Sequence, residues 1–165
     1  MALPTLLILL AIFRTVSSAP PPELSQAISD MTTKSYYGFA ILLGMLNDTT
    51  RSSLGQGATF FMPDNQHLAE SPISRDHLEE FILSHAIPDP LVFSELAHLP
   101  TGTLFPSYMN GRLLRISGIG RHTFVNNAQI TSPNVCSGSL IKCHGIDAVI
   151  ANRDNQMDPS RSDNP

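Results

Sequence analysis

The order of periodicities along the chain predicts an α+β domain. Apolar residues recur at helical spacing in the first half, strand-like alternation takes over in the second, and the two regimes do not interleave as they would in a βαβ protein. Thirteen prolines and ten glycines argue in the same direction, against a pure helical bundle.

Each element follows from its residues. Ala19-Pro20-Pro21-Pro22 opens a short Pro-rich segment, residues 20–23, that favours an extended polyproline-type backbone. From there Leu24, Ala27, Ile28 and Met31 fall on one helical face. Tyr36 to Leu46 is apolar nearly all round, which predicts a buried helix. Ser52 to Gly57 reads as a Ser/Gly-rich loop. Ala58-Thr59-Phe60-Phe61-Met62 reads as a buried strand stopped by Pro63-Asp64. Ser74 is a good helix N-cap, and the following Arg75 to His85 places Leu78, Phe81, Ile82 and His85 on one stripe. Pro88 and Pro90 end that helix. Gly111 to Ser117, Arg121 to Val125 and Ser139 to Ile150 are strand-like, with Asn110-Gly111 where a hairpin turn belongs. Residues 152–165 are polar, contain no apolar run and are expected to be disordered.

Composition narrows the function classes. A chain of 165 residues with 42% hydrophobic and 15% charged residues allows one folded domain and hardly two. Lysine and arginine number 10 against 14 aspartates and glutamates, a net charge of −4. That balance lacks the basic footprint that grips phosphates, so nucleic acid is not an expected partner.

The N-terminus carries an address. Pro4 to Phe13 is almost wholly apolar, and Ser17 and Ala19 occupy the −3 and −1 positions of a cleavage site. Residues 1–19 therefore read as a secretory signal peptide, although no Lys or Arg precedes the apolar run. The alternatives are a membrane anchor or a buried helix; the run is short of the about 20 residues a span needs. Secretion to the extracellular space or cell wall is the expected localisation, with no stable membrane insertion after cleavage. No C-terminal apolar tail follows, so no GPI anchor is expected.

Two features agree with a secretory route. Asn47-Asp48-Thr49 is an N-glycosylation sequon just past a helical run. Cys136 and Cys143 are the only cysteines, and in a secreted chain an isolated pair most simply forms one disulfide. A metal pair is the alternative, but no partner ligands lie nearby at zinc spacing, and His144 would point to the opposite face of a strand from Cys143. No metal or cofactor is expected.

Three segments together carry a family resemblance. Ala58-Thr59-Phe60-Phe61-Met62-Pro63-Asp64-Asn65 resembles the first conserved box of fasciclin (FAS1) domains, T-x-F-x-P-x followed by Asp or Asn. Phe81-Ile82-Leu83-Ser84-His85-Ala86-Ile87-Pro88 resembles the family's central histidine motif, with Ser84 where a tyrosine often stands. Phe124 to Ile130 and Gly138 to Ile150 resemble the second box, V-N-x-A-x-I and then G-x-I-x-x-I-D-x-V-L. The order and spacing agree over residues 24–151, and the Ala-Pro-rich start is most similar to small plant fasciclin-like, arabinogalactan-type proteins. The resemblance implies N-terminal helices packed on a mostly antiparallel twisted β-sheet wedge. It implies an adhesion or interaction module whose partners are extracellular glycans or matrix and cell-wall glycoproteins. It points to Ser84, His85, Ala86, Ile87 and Pro88 as binding residues, and to Thr59, Phe61, Pro63, Asp64, Asn126 and Asp147 as structural motif residues.

Read from chemistry alone, those residues are structural first. Asp64, following Pro63, suits accepting turn N–H groups, and Asn126 and Asn127 suit a turn between strands. Asp147 suits capping a loop near the final strand. A lone histidine on an apolar face, as His85 is, is more often a paired core residue than a ligand. Catalytic patterns are missing. The six histidines form no H-x-x-x-H, there is no G-x-S-x-G, and Asp76, Glu79 and Glu80 at a helix start complement its dipole. Adjacent helix residues do not face each other, which argues against a Ser84–His85 dyad. The expectation is a secreted, non-enzymatic FAS1-type module. The alternative is a secreted small-molecule-binding or enzymatic domain with a pocket near His85.

Overall fold

Proline starts the first helix. In the computed structural model, which describes residues 21–150, α1 spans Pro22–Thr33 with Pro21 extended just ahead of it. Pro suits a first turn, whose N–H groups need no intrahelical partner. Two of the four residues expected in the Pro-rich segment thus belong to the helix. The expected signal peptide, residues 1–19, and the polar tail, residues 152–165, lie outside the described residues.

Helix α2, Tyr37–Gly44, buries Phe39, Ala40 and Leu43, yet Tyr37 and Ile41 are exposed, as is Met45 at its end. The helix expected to be buried is therefore buried on one side only. Helix α3, Asp48–Leu54, takes up the first part of the stretch expected as a loop, because Asn47 caps it. Strand β1, Ala58–Pro63, includes the proline, and Asp64 begins helix α4, Asn65–Ala69. The helix expected over 75–85 opens as a 3-10 turn, Arg75–His77, and continues as α5, Leu78–Ser84. Ser74 precedes it, but its hydroxyl meets the His77 ring at 2.7 Å and caps no backbone N–H.

Strand β2 (Ala86–Ile87), helix α6 (Phe93–His98) and strand β3 (Thr103–Pro106) are too short to print a period on the sequence. Strands β4 (Leu113–Ile119), β5 (His122–Val125), β6 (Ala128–Ser132) and β7 (Ile141–Ile146) complete the fold. The last is shorter at both ends than the strand expected over 139–150. Gly111 adopts φ of +75° in the β3–β4 loop, as a turn glycine would.

The seven strands form one sheet in the order β2-β1-β7-β6-β5-β4-β3. Only β1 and β7 pair in parallel; every other neighbour is antiparallel. The helices and this mostly antiparallel sheet make an α+β domain. Strand β1 is buried on both faces, which is why it reads as a continuous apolar run. Ala58, Phe60 and Met62 join Leu24, Met31, Phe39 and Leu43 in a core under the helices. Phe61 points the other way, into a second core with Leu96, Leu114, Ile116, Val125 and Ile146.

At Gly145 of β7 the helical layer packs directly on the strand backbone. A Cβ there would lie 1.7 Å from the Tyr36 hydroxyl, so only glycine lets α2's entry tyrosine pack on the strand.

Candidate functional site

Helix α5 delivers its last residues into the sheet. His85 is its C-cap, and Ala86 and Ile87 pair with Phe60 and Thr59 as β2. The His85 carbonyl accepts the Phe61 N–H at 2.8 Å. His85 itself is 1% exposed. Its Nε2 accepts the N–H of Ile150 at 3.0 Å, so the ring proton sits on Nδ1, which donates to the Phe81 carbonyl at 2.8 Å. Phe81 lies over the ring, with centroids 4.3 Å apart. Burial, only partly offset by the Phe81 carbonyl, pushes the imidazole down to about 4, and the Arg112 guanidinium adds to the shift. The histidine is therefore neutral and fully used at ordinary pH.

Ser84 Oγ approaches His85 Nδ1 to 3.1 Å, closer than two adjacent helical residues should come. The reason is that His85 has left helical backbone geometry, with φ −102° and ψ 14°. The contact is no acid–base dyad as placed: the serine proton goes to the Phe81 carbonyl at 2.7 Å, and Nδ1 is already protonated.

The β3–β4 loop seals this end of the helix. Tyr108 N–H donates to the Ala86 carbonyl at 2.9 Å, and the Tyr108 hydroxyl reaches the Gly57 carbonyl at 2.7 Å. Arg112 holds the Ile150 carbonyl at 3.1 Å. Ile150 is thus clamped by its N–H on His85 and by its carbonyl on Arg112.

Beside this clamp lies an open cleft of about 370 Å³. Ser84, His85 and Ile150 form its buried wall, Met109 and Val149 one side, and Ser71, Pro72, Ile73, His77, Glu80 and Phe81 the rest. Of the residues to which the resemblance points, Ser84, His85, Ala86 and Ile87 are buried and only Pro88 is exposed. The surface open to solvent at the cleft is instead its rim, with Glu80 and His77 exposed. Sequence reading missed Met109, Arg112 and Ile150 because their meeting with His85 is purely tertiary, and it gave Glu80, on the same helix as His85, only the part of complementing the helix dipole. The one available signal was the position of Ile150 at the end of the second-box pattern.

The motif residues sit around this frame. Thr59 Oγ1 donates to the Asp89 carbonyl at 2.5 Å and accepts the Leu91 N–H at 2.8 Å, hooking the segment after β2 onto β1. Phe61 stacks on His144 with centroids 6.1 Å apart, and Pro63 ends β1 opposite Ile146. Asp64 Oδ1 accepts the His67 N–H at 2.9 Å and meets the His67 ring at 2.8 Å. Partial burial would raise the Asp64 carboxyl, but its contacts with His67 outweigh this and lower it. Asn126, with φ +52°, turns β5 into β6, and its Oδ1 accepts the Arg115 N–H at 2.8 Å. Asp147 Oδ1 accepts the Gln129 N–H at 2.7 Å. Cys136 and Cys143 are disulfide-bonded, stapling the segment before β7 to the strand. Asn47 is exposed at the start of α3.

A second buried histidine does not belong to the cleft. His144 Nε2 donates to the Leu91 carbonyl at 2.9 Å, and Nδ1 accepts the Asn134 N–H at 3.1 Å. It lies on the face of β7 opposite Cys143, as strand alternation requires. Among the described residues, no group of three His, Cys, Asp or Glu is placed to hold a metal ion. No helix among them is long and apolar enough to cross a membrane.

A helix-covered, mostly antiparallel sheet of this strand order with a buried histidine at the end of α5 defines the class as a fasciclin-type domain. Residues 37–152 match the family model described as "Fasciclin domain", and the chain belongs to that family. It is 29% identical over 98 residues to a FAS1 domain-containing protein of Selaginella moellendorffii, covering 57% of this chain and 38% of that protein. It is 24% identical over 133 residues to fasciclin-like arabinogalactan protein 21 of Arabidopsis thaliana, covering 79% of this chain and 38% of that protein. The chain thus spans 38% of the length of either relative. Its fold is similar to a FAS1 domain pair from the insect cell adhesion molecule fasciclin I, with TM-score 0.59, 16% identity, and coverage of 72% of this chain and 46% of that one.

Proposed function

We propose that this protein is a secreted, non-enzymatic adhesion or interaction module of the extracellular matrix or cell wall. Its partners are extracellular glycans or matrix and cell-wall glycoproteins. The observation that carries the reading is the histidine motif of a fasciclin domain built into the wall of an open cleft. The motif residues Ser84, His85, Ala86 and Ile87 act by holding that wall rigid, and Pro88, Phe81 and Glu80 offer the contact surface. The apolar run of residues 4–13 and the sequon at Asn47 support the extracellular setting.

The test is retention of the secreted protein on cell-wall and matrix fractions, with Glu80→Lys and Met109→Glu in the cleft and Leu104→Glu far from it. Retention lost in the first two variants and kept in the third is the expected result. A wild-type protein that no fraction retains would count against the module reading.

A second reading has its own support. A cleft of about 370 Å³ falls within the range of small-molecule sites, with His77, Glu80 and Ser84 converging on it. A small molecule that co-purifies with the folded protein and is lost in Glu80→Lys would favour it.

A further inference from the structure

Helix α2 shows solvent three large apolar side chains in a row. Tyr37, Ile41 and Met45 are 51%, 62% and 52% exposed and stand one turn apart on one face. Gly44 on the same helix has open space where a side chain would be. Most helices on a protein surface put polar residues there, so this stripe calls for a cover. The stripe runs into a shallow depression of about 500 Å³, lined by Met45, Leu46, Asn47, Arg75, Leu78 and Glu79. One wall of that depression is the sequon asparagine itself.

The asparagine is held in place before any sugar is attached. Asn47 Oδ1 accepts the Thr50 N–H at 2.9 Å, and Nδ2 donates to Glu79 Oε2 at 3.3 Å. Thr50 Oγ1 in turn binds the other Glu79 oxygen at 2.6 Å. Attachment forms a bond from Nδ2 to C1 of the first N-acetylglucosamine and breaks the bond from that carbon to the pyrophosphate of a lipid-linked donor. One amide proton leaves with the pyrophosphate. The cap through Oδ1 survives, and one N–H remains for Glu79. The sugar is therefore linked to an oriented amide at the edge of an apolar depression, not to a mobile side chain.

We propose that the N-linked glycan of Asn47 folds back onto this depression and shields the α2 stripe. The acetamido methyl and apolar sugar face meet Met45 and Leu78. Arg75, which makes no ion pair among the described residues, and Glu79 meet the hydroxyls. From Met45 to Tyr37 is about 12 Å along the helix, within reach of the next sugars. The inference rests on the secreted reading and goes beyond it by naming what the α2 face is for.

The experiment compares secreted wild type, Thr49→Ala and Thr49→Ser from a eukaryotic host. Thr49→Ala removes the sequon and leaves the Asn47 cap in place; Thr49→Ser keeps both. Hydrogen peroxide oxidation of Met45 is followed by peptide mass, with Met109 as the internal reference. Wild type and Thr49→Ser are expected to carry glycan and to oxidise at Met45 about fivefold more slowly than Thr49→Ala, since thioether oxidation follows exposure. A glycan on Asn47 with Met45 oxidised at the Thr49→Ala rate would overturn the shielding and leave the secreted reading intact. Secreted protein with no glycan on Asn47 would overturn the shielding by removing its occupant. Failure to be secreted would strike the functional reading itself. Protection that appears in all three proteins only at high concentration would assign the stripe to a second copy of the chain and overturn the proposal.

Discussion

The two buried histidines are built to one plan and placed in different surroundings. Each ring donates one N–H to a backbone carbonyl and accepts a backbone N–H on its other nitrogen: Phe81 and Ile150 for His85, Leu91 and Asn134 for His144. Each is held neutral, because burial lowers both imidazoles. His144 lies against Phe61 and Phe93, beside the second core. His85 forms the wall of an open cleft. The same hydrogen-bonding device thus serves once to tie loops over a core and once to stiffen a surface that meets solvent. A buried histidine in this fold is a clamp by chemistry; its neighbourhood decides whether the clamp also shapes a site.

Truncation should separate the two most sharply. His144→Ala removes a ring packed against two aromatics and leaves the Leu91 carbonyl and the Asn134 N–H without their partner. A cost of about 4 kcal/mol is expected from the cavity and the lost hydrogen bonds together. His85→Ala should cost less, about 2–3 kcal/mol, because cleft water can reach the freed Ile150 N–H. Urea denaturation of both variants measures the difference. Equal losses would mean that the cleft wall is as closed as the core, and the contrast between the clamps would fail.

Acid provides the next test. A histidine whose folded pKa lies below its unfolded value is neutral in both states at high pH and takes up its proton more readily when unfolded. His85 therefore contributes stability that is intact above pH 6.5 and is lost as pH falls toward about 4. Complete titration across that interval corresponds to roughly 3 kcal/mol. The physical event is that a protonated Nε2 would face the Ile150 N–H, donor against donor. His144 adds to the loss in the same direction. His85→Gln, which offers both an acceptor and a donor without titrating, should flatten part of the decline, and His144→Gln another part. Denaturant midpoints at a series of pH values read both, and a profile unchanged in His85→Gln would contradict the assigned ring state.

How much of this was legible in the sequence differs between the two clamps. His85 stood out because a helical apolar stripe ended on it just before Pro88. His144 did not, since it sits in a strand buried on both faces, where alternation carries no signal. Strand β1, the long helices and the two-residue Asn126-Asn127 turn could be read from local pattern. Helix α3 could not be read, because a run of Ser, Thr and Gly looks like a loop until the Asn47 cap is recognised. Strand β2 has two residues and exists only because β1 offers it a partner. The cleft was illegible for a related reason. Its wall joins residue 85 to residue 150, and no short-range period records that contact.

Reduction probes the other side of β7. Cys136–Cys143 closes a short loop on the face opposite His144. Replacing both cysteines with serine should cost about 2–3 kcal/mol through the freed loop entropy of the unfolded chain. Because the bond lies in the core under the helices, the loss should leave the pH profile set by the histidines unchanged. A shifted profile would couple the two faces of β7. The native protein should also resist thiol alkylation without reductant; free thiol at one equivalent per cysteine would contradict the bond.

The smallest expected effect comes from Asp64, where a histidine and a hydrogen-bonded partner meet at the surface. Asp64 caps α4 through the His67 N–H and contacts the His67 ring, and both side chains are partly exposed. The contact with the His67 ring is an ion pair only when that ring is protonated, and at the surface it is then screened and contributes little, whereas the cap satisfies a backbone donor that the helix cannot. Asp64→Ala should therefore cost about 1 kcal/mol, and Asp64→Asn, which keeps an acceptor and loses the charge, only a few tenths. Thermal melts of the pair at low and high salt read the split. If Asp64→Asn matched Asp64→Ala, charge would outrank the cap, and the exposed histidine would matter to stability in a way the two buried clamps, both uncharged, do not.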